Sequence, residues 1–255
     1  MRAVKAVFKK QFKSSVQNPE MLIQFLIFPF MAFMMTRFVG TDAMMDDILY
    51  FAPYIGQDFF DAMAANMPNL VTMMAGMFAG MALIPAVAGI IAEDKEKTSL
   101  RFLIMAGVKP SAYLVGVGSV ILFVSALTSL AFAFVGEFRG MDFAIFMGAM
   151  LSGVTASIVL GAAIGIISKG QQSATALAMP IAMVLGFGPM MAQFNDNVAR
   201  ALNIFYSQQI NIIADYITIG TDTPLWQSFA IMWANILVLA ILFAIVYAKK
   251  GLTTS

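Results

Sequence analysis

Six predominantly apolar stretches run through the chain, at residues 20–39, 69–92, 111–135, 143–168, 173–191 and 227–248. Each approaches or exceeds the roughly 20 residues a helix needs to cross the hydrocarbon core of a bilayer. With 60% hydrophobic and 11% charged residues, the 255-residue chain has too little polar surface for an ordinary soluble domain. The expected fold is an all-α integral membrane protein of six transmembrane helices, forming a single domain over 1–255.

The loops between the stretches are sorted by charge. If the stretches alternate in direction, one side collects twelve of the fifteen basic residues and the other keeps Arg37, Arg139 and Arg200. That second side also holds ten of the fourteen acids, among them Asp42, Asp46, Asp47, Asp142, Asp196, Asp215 and Asp222. Positive loops stay in the cytoplasm, so the expectation is a multi-pass protein of the cell membrane with both termini cytoplasmic.

Residues 1–17 precede the first stretch. Val4, Val7, Phe8 and Phe12 recur at helical spacing, and Lys5, Lys9 and Lys13 fall four apart. One oily and one basic face predict a helix lying in the membrane interface. No apolar run and cleavage site of signal-peptide form follow, so the segment is read as retained.

Two segments on the acidic side are too long for simple turns. Residues 40–68 mix acids with Phe51, Tyr54, Phe59 and Phe60. Residues 193–226 carry Val198, Leu202, Phe205, Ile210, Ile213 and Ile217 at roughly helical intervals among Asn and Gln. The second segment reads either as an interrupted helix pair, external or re-entrant, or as a solvated loop. Backbone at membrane depth is tolerated only where protein covers it.

Several chemistries are excluded or weakened. The chain has no cysteine and no histidine, which removes thiolate chemistry, the commonest general base and the commonest metal ligand. An enzyme is therefore not expected, and Asp58 and Asp61 read as a solvated acidic loop rather than a catalytic pair. The middles of the stretches are nearly free of ionisable residues, whereas ion-coupled carriers place carboxylates there. Met73, Met77 and Met81 form a stripe four residues apart; packing explains it more simply than a thioether copper route. The spacings Gly76-Met-Phe-Ala-Gly80 and Gly161-Ala-Ala-Ile-Gly165 let helices approach closely, and contacts within one chain are expected. Pro85 and Pro180 should bend their helices or free a carbonyl.

The segment between the second and third stretches, 93–106, is short and charged with a helical pattern. Glu93, Asp94 and Glu96 lead, where acids favour a helix start. Leu100, Leu103 and Ile104 form an apolar stripe beside Lys97 and Arg101, and Gly107 and Pro110 end it. A helix of this kind across the cytoplasmic face is a docking surface for a soluble partner.

Glu93-Asp-Lys-Glu96-Lys-Thr98-Ser-Leu100-Arg-Phe-Leu103, followed by Val108-Lys-Pro110-Ser111, resembles the coupling segment of ABC transporter permease subunits of the type 2 exporter family. Asn18-Pro19, Phe28-Pro29, the basic leading helix and the interrupted outer segment stand where that family has them. The chain departs from the family at Lys97-Thr98-Ser99, where Gly-Thr is more usual. The resemblance implies a cytoplasmic coupling helix between spans two and three that contacts a separate ATP-binding cassette ATPase subunit. It implies a second permease chain, identical or related, as a further partner in the lipid bilayer; nucleic acid is not expected. The implied contact residues are Glu93, Glu96, Lys97, Leu100, Arg101, Leu103 and Ile104. No Gly-x-x-x-x-Gly-Lys-Ser/Thr phosphate loop occurs, so no cofactor is expected in this chain and ATP would sit on the partner. A channel, scramblase or scaffold is the alternative that the sequence leaves open.

Overall fold

The computed structural model of the chain describes residues 7–13, 19–39, 70–97, 105, 110–193 and 195–250. The acidic loop 40–68 with Asp58 and Asp61, and the docking residues Leu100, Arg101, Leu103 and Ile104, lie outside the described residues.

The described residues fold into helices, and each expected apolar stretch falls on one of them. Helix α1 covers 7–13. Helix α2 is Pro19–Met34, continued by a π-helical turn Met35–Val39. Helix α3 is Leu70–Glu96, widened to a π-helical turn at Phe78–Ala82. Helices α4, Pro110–Val135, α5, Gly140–Ile167, and α6, Gln171–Ala192, follow. The outer segment supplies α7, Asp196–Leu202, and α8, Tyr206–Ile219, before α9, Leu225–Lys250. Five of these helices, α3, α4, α5, α6 and α9, are long and apolar enough to span a membrane, and α2 contains a shorter apolar run, Phe25–Arg37.

Helix α5 is the axis of the bundle. It packs against α3, α4, α8 and α9, while α6 packs on α3 and α2 lies against α3 and α4. Small residues set the close approaches. A Cβ on Gly161 would stand 2.7 Å from the Ile84 carbonyl oxygen, and one on Gly165 2.7 Å from that of Ala88. Both glycines of the second small-residue spacing therefore bring α5 onto α3 within one chain. In the first spacing, Gly80 faces the Leu185 carbonyl on α6 and Gly76 faces Asn211 on α8. The methionine stripe serves packing in the same region: Met73 and Met77 lie partly buried against the core, and Met81 faces Gly186.

The π-helical turn in α3 has an identifiable cause. Pro85 cannot donate the N–H that the carbonyl one turn earlier would accept, and the ladder widens just before it. Phe78 in that turn is fully buried in an aromatic cluster, with ring centroids 5.5 Å from Phe25, 6.2 Å from Phe28 and 6.0 Å from Phe132.

The outer segment is a helix pair rather than a loop. The Asn195 side chain caps α7 by accepting from the Asn197 and Val198 amides, at 2.9 and 3.4 Å. Helix α8 turns back into the bundle against α5, α3 and α9, and ends at Gly220, whose φ of 75° suits glycine. Ile210 and Ile213 are buried as the apolar pattern predicts, but so are Tyr206, Ser207, Gln209 and Asn211. Further out on α8, burial pushes the Asp215 carboxyl up to about 6.

Among the described residues, α2, α4, α6 and α9 keep broad apolar faces exposed: Ile23, Leu26 and Phe30 on α2, Val115, Leu127 and Phe134 on α4, Leu177 and Val184 on α6, and Trp233, Leu237 and Ile241 on α9. Such faces suit hydrocarbon or a second chain.

Candidate functional site

The last turn of α3 gathers the ends of four other helices. Its apolar pattern runs unbroken into Glu93-Asp-Lys-Glu96, and the helix stops at Lys97, whose ψ of 8° takes it off the helical path and whose N–H reaches the Glu93 carbonyl at 2.9 Å. Glu93, Asp94 and Glu96 therefore close the helix of the second span instead of opening a new one at 93. The reason is continuity: past Pro85 no further proline interrupts the helix, and the run from Ala86 to Ala92 carries it into the charges. Acids at a helix C-terminus oppose the macrodipole, so each has a compensating donor here.

Glu93 pairs with Lys97 one turn on, an orientation that favours both the pair and the helix end. The Glu93 carboxylate, by its hydrogen bond and its charge, holds the Lys97 ammonium above the usual lysine range. Asp94 takes two partners from different helices: Lys10 of α1 at 2.8 Å and the Tyr113 hydroxyl of α4, which donates at 2.8 Å. Helix α1 is thereby fixed. Val7 and Gln11 are buried, Phe8 stacks on Phe12, and Phe12 meets Phe123 of α4 at 6.3 Å. Its lysines Lys9, Lys10 and Lys13 stay exposed, as does Phe12 of the expected oily face.

Lys95 and Glu96 reach the turn between α5 and α6. The Lys95 ammonium donates to the carbonyls of Ile166 and Ser168 at 3.0 and 3.1 Å. A Glu96 carboxylate oxygen accepts from the Gln171 amide at 3.1 Å. The rest of the turn is self-satisfied: Ser168 donates to Ile164 through its hydroxyl at 2.7 Å, and Ser173 Oγ accepts from the Lys169 and Gly170 amides. An open cleft of about 470 Å³ runs along it, lined by Glu96 and Lys169 to Ser173.

Of the residues expected to contact a partner, Glu93, Glu96 and Lys97 stand together at this helix end. Sequence reasoning missed Lys10, Asp94, Lys95, Tyr113 and Gln171. The available signal was weak: a tyrosine at the mouth of an apolar stretch is ordinary for a membrane interface.

A second feature lies within the bundle. An apolar cleft of about 530 Å³ opens between α5, α6, the start of α8 and α9, with Leu160, Pro180, Val184, Tyr206 and Val238 in its walls. Asn235 on its rim donates to the Ile204 and Ile231 carbonyls, each at 2.8 Å, so its amide is engaged.

Residues 57–247, most of the chain and all of α3 to α8, match the family model described as ABC-2 family transporter protein. The chain belongs to the ABC-2 transporter family. It is a multi-pass membrane permease of an ABC transporter, and such permeases usually work with an ATPase subunit. No curated protein matches the sequence at a significant level.

One consequence of the geometry concerns the Asp94 junction. Asp94→Ala removes a partly exposed ion pair worth about 1 kcal/mol or less. It also removes a charged acceptor for a phenol, worth about 1.5–3 kcal/mol. The permease should lose about 2–3 kcal/mol in unfolding experiments in detergent, and trypsin should reach Lys10 and Lys13 faster. Lys10→Met, which spares the Tyr113 bond, should lose less than half of that.

Proposed function

We propose that this ABC-2 permease is the membrane half of an exporter driven by a separate cytoplasmic ATPase, which docks on residues 93–106. The basic end of the bundle is then cytoplasmic, with both termini there. ATP binds the partner and not this chain, which has no phosphate loop. Two permease chains pair, identical or related, and ATP binding by the paired ATPases switches the spans between inward- and outward-facing arrangements as rigid bodies.

The observation that carries this reading is the knot at the end of α3. The chain leaves Lys97 from a point tied to α1, α4, α5 and α6, so a partner gripping the residues just beyond pulls on most of the bundle at once. Leu100, Leu103 and Ile104 are assigned to a groove of the ATPase. Glu93, Glu96, Lys97 and Arg101 are assigned to charged contacts at its rim. The apolar cleft between α5, α6, α8 and α9 suits an amphipathic or lipid-like cargo.

The test is purification of the tagged permease from its native membrane in mild detergent, with identification of what accompanies it. A stoichiometric ATPase subunit is expected, and Leu100→Asp/Leu103→Asp should lose it while the permease still inserts. Two buried apolar anchors replaced by charges correspond to at least about 3–4 kcal/mol, or more than a hundredfold in affinity. A permease that purifies with no nucleotide-binding partner sinks the reading and favours a channel, scramblase or scaffold.

A further inference from the structure

We propose that Lys95 and Glu96 are positioning residues: together they clamp the α5–α6 turn to the end of α3, so that a displacement of the docking segment moves α5 and α6 as well. The inference rests on the exporter reading for its purpose, but its geometry is independent of any partner.

The two charges match the two poles they meet. Helix α5 ends at Ile167 and presents unsatisfied carbonyls, the negative end of its dipole; the Lys95 ammonium sits on two carbonyls there, Ile166 and Ser168. Helix α6 begins at Gln171 and presents unsatisfied N–H groups, the positive end of its dipole; the Glu96 carboxylate accepts the first of them. Exchanging the two side chains would set like against like at both contacts. Charge-assisted hydrogen bonds are roughly twice as strong as neutral ones, and these hold backbone rather than flexible side chains.

The turn is shaped to admit the carboxylate. A Cβ on Gly170 would stand 2.8 Å from the Glu96 Oε2 atom, so any larger residue pushes it away from the Gln171 amide. Deeper in the bundle, α3 already meets α5 backbone-close at Gly161 and Gly165, and meets α6 at Gly80 and Gly186. The clamp extends that three-helix unit to the end of α3, inside the docking segment 93–106. Without it, α3 could pivot at its end while α5 and α6 stayed behind. The Asp94 junction to α1 and α4 is a separate tie on the neighbouring residue.

The chain has no native cysteine, so a single introduced thiol reports on α6 alone. Cysteine replaces Leu177, Met183 or Val184, all exposed on α6. The reporter is the position whose reaction with a maleimide changes between nucleotide-free membranes and membranes with ATP and vanadate. Lys95→Met and Gly170→Val each open one jaw; neither replaces a residue assigned to contact the ATPase, and Gly170→Val shifts the Glu96 carboxylate without removing its charge. The expected result for both is an ATPase that still purifies with the permease and hydrolyses ATP, with the reporter's nucleotide response lost. Lys95→Arg, which keeps a cation on the two carbonyls, should keep the response. A reporter that still responds in both Lys95→Met and Gly170→Val overturns the clamp. A parent permease that brings no ATPase, or whose reporters all ignore nucleotide, overturns the exporter reading and with it the clamp's role.

Discussion

Valine at both Gly161 and Gly165 is expected to leave no folded, monodisperse permease in detergent. The atoms that a new Cβ would meet cannot step aside. At 161 they are the Ile84 carbonyl oxygen at 2.7 Å and the Val87 Cβ at 2.8 Å; at 165 they are the Ala88 carbonyl oxygen at 2.7 Å and the Ile91 Cβ at 2.9 Å. All four belong to backbone or to the first atom of a branched side chain, so relief requires α3 to move as a whole. Overpacking costs about 1–3 kcal/mol per site in a well-packed interior, and separating two central helices also forfeits their dispersion contacts. Against a total stability of about 5–15 kcal/mol, two such sites on one interface exhaust most of the margin.

Gly148 supplies the control. A Cβ there meets only the Phe229 ring at 3.5 Å, an ordinary contact, so Gly148→Ala should shift stability by no more than about 0.5 kcal/mol. Size-exclusion profiles and thermal unfolding of the three proteins decide the matter. A double valine variant as stable as Gly148→Ala would mean that α5 and α3 are not packed as described.

The same pair of glycines marks how far the sequence could be read. The apolar stretches located the helices to within a few residues because membrane hydrocarbon imposes both length and composition on a span. Close helix approach was legible at Gly161 and Gly165, since only small residues permit it, but their partner on α3 was not. The acids at 93–96 misled for a definite reason. Macrodipole preference points to a helix start, whereas here Lys10, Tyr113, Lys97 and the Gln171 amide neutralise them at a helix end. Each donor except Lys97 comes from a distant part of the chain, and a single sequence does not align them.

The outer segment was legible as an interrupted helix pair, but not the polar part of its contact with the bundle: Tyr206, Ser207, Gln209 and Asn211 are buried beside the apolar residues that the pattern pointed to. Polarity does enter a membrane-protein interior where backbone groups freed by irregular helices offer partners. In the π-helical turn of α3 the Ala79 carbonyl accepts from the Ser157 hydroxyl of α5 at 2.6 Å. Ser157 lies 2.8 Å from the Tyr206 hydroxyl, so three helices meet at one oxygen.

The proton count orders this site. Serine and tyrosine have one hydroxyl proton each, and both protons find an acceptor when the Tyr206 hydroxyl donates to Ser157 Oγ and Ser157 donates to a carbonyl, Ala79 or Gly153. Ser157→Ala then strands a fully buried phenol and strips Ala79 of a donor, at about 1–3 kcal/mol for each buried group left unpaired. Tyr206→Phe leaves Ser157 bonded to its carbonyl and removes only the phenol's own bond, about 0.5–1.5 kcal/mol. The double variant is the telling one. With the phenol gone, removing the serine strands one group instead of two, so Ser157→Ala/Tyr206→Phe should be no less stable than Ser157→Ala alone, a coupling of about 1–2 kcal/mol. Unfolding of the four proteins in detergent measures it. Strict additivity would show that the Tyr206 hydroxyl does not depend on Ser157, and α8 would then be held in the bundle by its apolar face alone.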